Sequence, residues 1–233
     1  MKNTKILVKT ENKKYFIIVG ANVQKKTGVL IKKILPNVKK IAVITDKKLP
    51  SYILKKTKLS LKNFSLSIFK LPSGEKTKNI YTAEKLINLI LKKKFSRSDC
   101  IIALGGGVIG DLSGLVASLV KRGIKFVNIP TSLLAQVDAS VGGKTAINSD
   151  QGKNLIGSFY QPELIISDTN MINSLPHREM VCGYAEILKH SLILDRKFYF
   201  WLLKNGKILL YKKNKNFLGK SIIKSCKIKS QIV

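Results

Sequence analysis

Over its first ~170 residues the chain alternates short apolar runs with longer amphipathic stretches; beyond Pro176 the pattern is helical only. Residues 15–19, 41–45, 64–69, 100–104 and 125–129 are apolar runs of strand length. Between them, the segment from Thr77 to Lys94 sets Ile80, Ala83, Leu86, Ile87, Ile90 and Leu91 on one face and lysines on the other, which predicts an amphipathic helix. Such alternation predicts a parallel sheet with helices packed on it, an α/β fold. Pro130 ends the fifth strand, and Thr131 or Ser132 caps the helix that follows. Residues 145–147 and 164–167 are predicted to form a short strand pair. Helices are predicted over 176–194, 197–211 and 215–232. A domain boundary is therefore expected near residue 175, with an α/β domain over 1–175 and an all-helical one over 176–233. The last helical pattern reaches Val233 with no capping residue or glycine, so the helical part is expected to be unfinished.

Composition narrows the class. With 233 residues and 45% hydrophobic content the chain can bury a full core. No apolar run approaches the ~20 residues that cross a bilayer, and no signal-peptide core follows the N-terminus, so a cytoplasmic protein without membrane association is expected. Cys100, Cys182 and Cys226 are scattered, without metal or redox spacing. The formal charge of +30 suggests nucleic acid as a partner. Its distribution argues otherwise. Only Arg97, Arg122, Arg178 and Arg196 are arginines among 43 basic residues, and the lysines are spread along the whole chain among many Ile and Asn residues. That pattern fits codon bias toward A and T, and its consequence is a general attraction for anionic metabolites.

The run Gly105-Gly106-Gly107-Val108-Ile109-Gly110-Asp111 sits between the apolar stretch 100–104 and a helical pattern in Leu112, Leu115, Val116, Leu119 and Val120. A glycine corner between strand and helix lets a diphosphate approach the unpaired amides of the helix N-terminus. Gly105, Gly107 and Gly110 also satisfy G-x-G-x-x-G, the Rossmann-like fingerprint. The ribose-binding acid usually found ~20 residues downstream is absent, because no Asp or Glu lies between Asp111 and Asp138. Asp46, at the end of the 41–45 run, is the better ribose candidate.

A second polar cluster follows. Asp138-Ala139-Ser140-Val141-Gly142-Gly143-Lys144-Thr145 is another glycine corner, flanked by an acid and a lysine, and Lys153-Asn154, Glu186 and Lys189 come after it. Taken singly, Gly142-Gly143 reads as a hairpin turn and the lysines as solvated surface. Taken together, in this order and spacing, residues 104–114, 121–123, 129–145, 152–157, 159–162, 175–176 and 183–189 closely resemble the 3-dehydroquinate synthase family. Ser73-Gly74-Glu75-Lys76-Thr77-Lys78 is similar to that family's Gly-Glu-x-x-Lys nucleotide motif.

The resemblance implies NAD as cofactor, a divalent metal (zinc or cobalt), and 3-deoxy-D-arabino-heptulosonate 7-phosphate, a phosphorylated sugar acid, as substrate. The family oxidises the C5 hydroxyl, eliminates phosphate, reduces the ketone again, opens the ring and closes it by an aldol step. The resemblance gives Gly106, Gly107, Val108 and Asp111 to the NAD pyrophosphate, and Asp46, Ser73, Gly74, Glu75, Lys78, Thr131, Ser132, Met171 and Ser174 to the rest of the cofactor. It gives Asp138, Lys144, Lys153, Asn154, Arg122 and Lys189 to the substrate, with Lys144 and Lys153 also near the cofactor. Arg122 would serve a neighbouring subunit, which implies a homodimer. Glu186 matches the family's carboxylate metal ligand. The family's two histidine ligands lie in segments that this sequence does not contain, so a C-terminally shortened member is expected, one that binds NAD more readily than it turns over. His177 and His190 are the only histidines. His190 lies four residues after Glu186 on the same helix face, so the two could share a metal, but capping or packing is the simpler role for it. Rival readings are a related sugar phosphate cyclase, a metal-dependent polyol dehydrogenase, or a noncatalytic nucleic-acid-binding remnant.

Overall fold

The structure is a computed structural model that describes residues 3–233. An antiparallel pair, β1 (Thr4–Lys9) and β2 (Lys14–Gly20), opens the chain. The alternating part then runs α1 (Thr27–Ile34), β3 (Lys40–Asp46), α2 (Ser51–Ser60), β4 (Ser65–Leu71), α3 (Ile80–Lys92), β5 (Cys100–Gly105), α4 (Gly107–Leu119) and β6 (Lys125–Pro130). A hairpin of β7 (Lys144–Ser149) and β8 (Gly152–Phe159) follows, then β9 (Leu164–Asp168) and the helices α5 (His177–Leu194), α6 (Arg196–Lys212) and α7 (Lys215–Ile232). The main sheet has seven strands in the order β1-β2-β9-β6-β5-β3-β4, parallel everywhere except between β1 and β2. This is the α/β, Rossmann-like architecture that the alternation predicts.

The apolar strands are buried on both faces, and their two-residue period divides the core. Ile101 and Ala103 of β5 pack with Ala83, Leu86 and Ile90 of α3 and Leu112 and Val116 of α4. Cys100, Ile102 and Leu104 face the other way, toward Ile31 of α1 and Ile53 of α2. Each fully buried Ile or Leu contributes about 1.5–3 kcal/mol relative to exposure, so interior strands resist slipping by one residue, which would exchange the two faces.

The three last helices close the β1-β2-β9 side. Met180 and Ile187 of α5, Phe198 and Leu202 of α6, and Leu218 and Ile222 of α7 share one apolar cluster with Val8, Tyr15, Ile17 and Ile165 of the sheet. The helical segment is therefore seated on the sheet. Asp195 starts α6 by accepting from the Phe198 amide at 2.8 Å, and it holds α7 through Lys224 Nζ at 2.6 Å.

One expectation is corrected. Residues 145–147 do not pair with 164–167: β7 pairs with β8, and β9 enters the main sheet between β6 and β2. Every residue of β9 is buried, as suits a central parallel strand, whereas β8 is exposed along most of its length, with Leu155, Ile156 and Phe159 facing outward. Gly142-Gly143, which taken singly reads as a hairpin turn, does not close the hairpin. Both glycines have positive φ (103° and 69°) and turn the chain into β7, while the hairpin closes at residues 150–151. The strands β1 and β8 have no counterpart among the predicted elements.

Candidate functional site

In a parallel sheet, ligands bind beyond the carboxyl ends of the strands, because helix N-termini and loops gather there. Asp46, Gly105, Pro130 and Asp168 end β3, β5, β6 and β9 at this edge. The 105–107 corner lies between the end of β5 and the first turn of α4, whose N-cap, Gly106, makes no side-chain capping bond. A Cβ on Gly106 would lie 3.5 Å from Ser132 Oγ, and one on Gly107 would lie 3.6 Å from the Ala139 Cβ. Both glycines thus face the 131–139 segment across a gap that a side chain would narrow. An uncapped helix start beside such a gap has the chemistry of a diphosphate seat. Gly105 instead makes room within its own turn, since a Cβ there would come within 2.6 Å of Ile109.

Neighbouring loops complete this edge. Asp46 accepts from Ser73 Oγ and, at 2.6 Å, from the Lys48 amide. Ser132 Oγ accepts from the Ala135 amide at 3.3 Å, in keeping with its predicted capping role. Thr131 is buried. The Asp168 carboxylate accepts from the amides of Asn22, Gln24 and Asn170 and so fixes the turn Thr169–Ser174. Within that turn Met171 is buried in the core, and Ser174 is exposed, accepting from Tyr52 Oη at 3.2 Å.

A cleft of about 510 Å³ opens beside the corner, lined among others by Asp111, Asp138, Ala139, Lys144, Asn154 and Lys229. One polar network braces its wall. Lys78, almost fully buried, donates to Asp111 Oδ2 and Asn154 Oδ1, which holds Asn154 at a left-handed φ of 61°. Asn148 extends the network, accepting from the Asn154 amide at 3.0 Å and donating to Glu75 Oε1 at 2.8 Å. Burial pushes the Asp111 carboxyl above its usual range although the Lys78 ammonium opposes this.

Asp138 reaches the cleft from a single π-helical turn, Ala135–Ala139, a local widening that is frequent at functional sites. His190, with Nε2 at 3.4 Å, and the Lys229 ammonium, at 2.7 Å, hold its carboxyl well below the usual carboxylate range. Only the Lys229 contact has hydrogen-bond geometry. Glu186 lies one helical turn before His190 on α5 and pairs with Lys189, which raises the lysine's proton affinity. Asp138, Glu186 and His190 each offer a donor atom within 4.8 Å of the others. The donor set fits a divalent cation: two carboxylates and an imidazole.

The sequence-predicted residues therefore fall into groups. Asp111, Asp138, Lys144 and Asn154 share the cleft, with Lys78 and Glu75 behind it. Gly106, Gly107, Val108, Thr131 and Ser132 form the corner and its facing segment. Asp46, Ser73 and Gly74 lie in the neighbouring loops. Lys153 is exposed next to Asn154. Arg122 is not brought to the cleft: α4 carries it to the opposite end of the sheet, where it lines a groove with Arg97 and Lys121. Lys229 and the approach of His190 to Asp138 were missed. The available signal for Lys229 was its place on the buried stripe of α7, one turn after Ser225 and Cys226.

The fold of the parallel sheet and its helices is shared with solved structures. The structure superposes on 2-deoxy-scyllo-inosose synthase complexed with carbaglucose-6-phosphate, NAD+ and Co2+ at a TM-score of 0.85, with 23% identity, over 98% of this chain and 63% of that one. It superposes on 2-epi-5-epi-valiolone synthase from Streptomyces hygroscopicus, with NAD+ and Zn2+ bound, at 0.84 and 22% identity, over 94% and 61%. The chain belongs to the 3-dehydroquinate synthase family: the family models described as 3-dehydroquinate synthase N-terminal and C-terminal match residues 68–182 and 183–233. The 3-dehydroquinate synthase of Pelagibacter ubique is 49% identical over 98% of this chain, which spans 62% of that relative's length. Among the described residues no helix is long and apolar enough to cross a membrane.

Proposed function

We propose that the chain carries the NAD seat and much of the substrate cleft of a 3-dehydroquinate synthase, acting on 3-deoxy-D-arabino-heptulosonate 7-phosphate and releasing phosphate. The observation that carries this reading is the contact between two sites: Gly107 faces Ala139, and Ala139 lines the cleft that holds Asp111, Asp138, Lys144 and Asn154. A dinucleotide on the corner would thus present its reactive end to a sugar held by those side chains. In this reading residues 1–175 bind NAD, and 176–233 begin the metal and substrate part.

Gly106, Gly107 and Val108 hold the diphosphate, with Asp46, Ser73, Gly74, Glu75, Thr131, Ser132, Met171 and Ser174 around the remaining cofactor. Asp138, kept ionised by its cationic neighbours, is an acceptor that orients a substrate hydroxyl. Asn154, pinned by Lys78, offers its amide at a fixed angle. Lys144, Lys153 and Lys189 supply compact positive charge for carboxylate and phosphate oxygens. Arg122 reaches substrate from a second copy of the chain, which makes the working unit a homodimer. Bound NAD would take up and return one hydride. Glu186 is a metal ligand, and a bound divalent ion would polarise a substrate oxygen.

Incubation with NAD, zinc and the heptulosonate phosphate, followed for inorganic phosphate, tests the reading. NAD-dependent phosphate release is expected, and Lys144→Ala is expected to lower it at least tenfold. NADH formation from glycerol without phosphate release would favour a polyol dehydrogenase instead. Salt-dependent RNA binding with no affinity for NAD would contradict the enzyme reading altogether.

A further inference from the structure

The corner that delivers Lys144 to the cleft consists of two glycines, Gly142 and Gly143, with φ of 103° and 69°. Glycine moves easily among such conformations, so the pair does not by itself aim the side chain that follows. Three hydrogen bonds hold it. The Gly142 amide donates to Tyr15 Oη at 3.1 Å, the Gly142 carbonyl accepts from Gln161 Nε2 at 2.9 Å, and the Gly143 carbonyl accepts from the Tyr160 amide at 2.7 Å. The Gln161 side chain also lies over Gly143, where a Cβ would stand 2.5 Å from its Cδ. Both gripping side chains are anchored in turn. Tyr15, on β2, is 1% exposed, and burial pushes its phenol up to about 12, so its oxygen remains a neutral acceptor at ordinary pH. Lys13, one residue before β2, donates to the Gln161 carbonyl at 3.1 Å and pairs with Glu163 at 3.0 Å.

We propose that Tyr15 and Gln161 are positioning residues of the substrate cleft: they grip the Gly142 peptide from its two sides and so fix the point at which Lys144 enters. The inference rests on the reading of Lys144 as a substrate-binding lysine and gives the start of β2 a part in that site. A buried peptide needs partners wherever it lies. Here both partners are side chains, and the bonded peptide stands two residues before a lysine that lines the cleft. A lysine side chain is flexible, so its ammonium is placed first by where its backbone enters. Misplacement of a binding group by about an ångström can cost about a hundredfold, which makes a loose glycine corner at this point expensive unless it is held.

Isothermal titration of the heptulosonate phosphate into the chain saturated with NAD, combined with a double-mutant cycle, tests the proposal without turnover. Tyr15→Phe removes only the acceptor of the Gly142 amide and is expected to weaken binding about tenfold. In a Lys144→Ala background the same substitution is expected to change binding less than twofold, because the group it aims is gone. Damage to the fold alone would lower affinity equally in both backgrounds. Gln161→Met removes the donor on the other side of the peptide and is expected to repeat the pattern, should Tyr15→Phe melt too low to titrate. Lys144→Ala weakening binding while Tyr15→Phe and Gln161→Met bind as the parent would overturn the positioning role and leave Lys144 as a substrate residue. Equal losses with and without Lys144 would overturn it as well. Parental binding in Lys144→Ala, or no binding by the parent, would overturn the reading of Lys144 and the positioning role with it.

Discussion

Gly107→Val is expected to reduce NAD affinity about a hundredfold while leaving the melting temperature within a few degrees of the parent. Gly107 is the first residue of α4, with a backbone that any residue can adopt, and its Cβ position is only in ordinary contact with Ala139 at 3.6 Å. The fold therefore tolerates the substitution. A branched side chain would nevertheless narrow the gap in which a diphosphate meets the first amides of the helix. Losing two charge-assisted hydrogen bonds at about 1.5 kcal/mol each amounts to about two orders of magnitude in affinity. Isothermal titration with NAD, alongside thermal melts, measures both quantities. Parental affinity in the variant would mean that the diphosphate does not use this corner.

Gly183→Ala is expected to have the opposite profile, a loss of about 2 kcal/mol in stability from one methyl group. Gly183 lies on α5 where the helix touches the start of the 133–139 segment, and a Cβ there would be 2.6 Å from Leu133 Cβ and 2.7 Å from the Leu134 amide nitrogen. Backbone cannot swing aside as a flexible side chain can. Overpacking of this kind costs up to about 3 kcal/mol, offset by about 1 kcal/mol from the better helix propensity of alanine. Because the same contact sets the π-helical turn against α5, relief by sliding the helix would also separate Asp138 from Glu186 and His190. Urea unfolding gives the stability change. A variant as stable as the parent would show that α5 is not seated this tightly.

Much of this arrangement was legible in the residues, for physical reasons that differ from element to element. The runs at 41–45 and 100–104 had to be interior strands, because only a sheet covered on both faces buries every residue of such a run. The helices at 177–194, 196–212 and 215–232 kept a long apolar stripe and clear ends, and the structure agrees with their predicted bounds to within a residue. The glycine corner was legible because a strand and a helix flank it. The β7-β8 hairpin was not: Leu155, Ile156 and Phe159 face outward, so β8 lacks the alternation that signals a strand packed on a core. The pairing of β9 was equally hidden, since an all-apolar run fits an interior strand without naming its neighbours. Sequence spacing links His190 to Glu186 but says nothing of Asp138, which the π-helical turn brings beside it from far earlier in the chain. Lys229 was obscured by the abundance of lysine in a chain of net charge +30.

Crystals of the chain grown with NAD would decide whether the 105–107 corner and the charged cleft form one site. Diphosphate density is expected against the amides of Gly106, Gly107 and Val108, with the nicotinamide end directed toward Asp138 and Lys144. Density for the cofactor elsewhere on the molecule, with this corner closed against Ser132 and Ala139, would contradict a shared site.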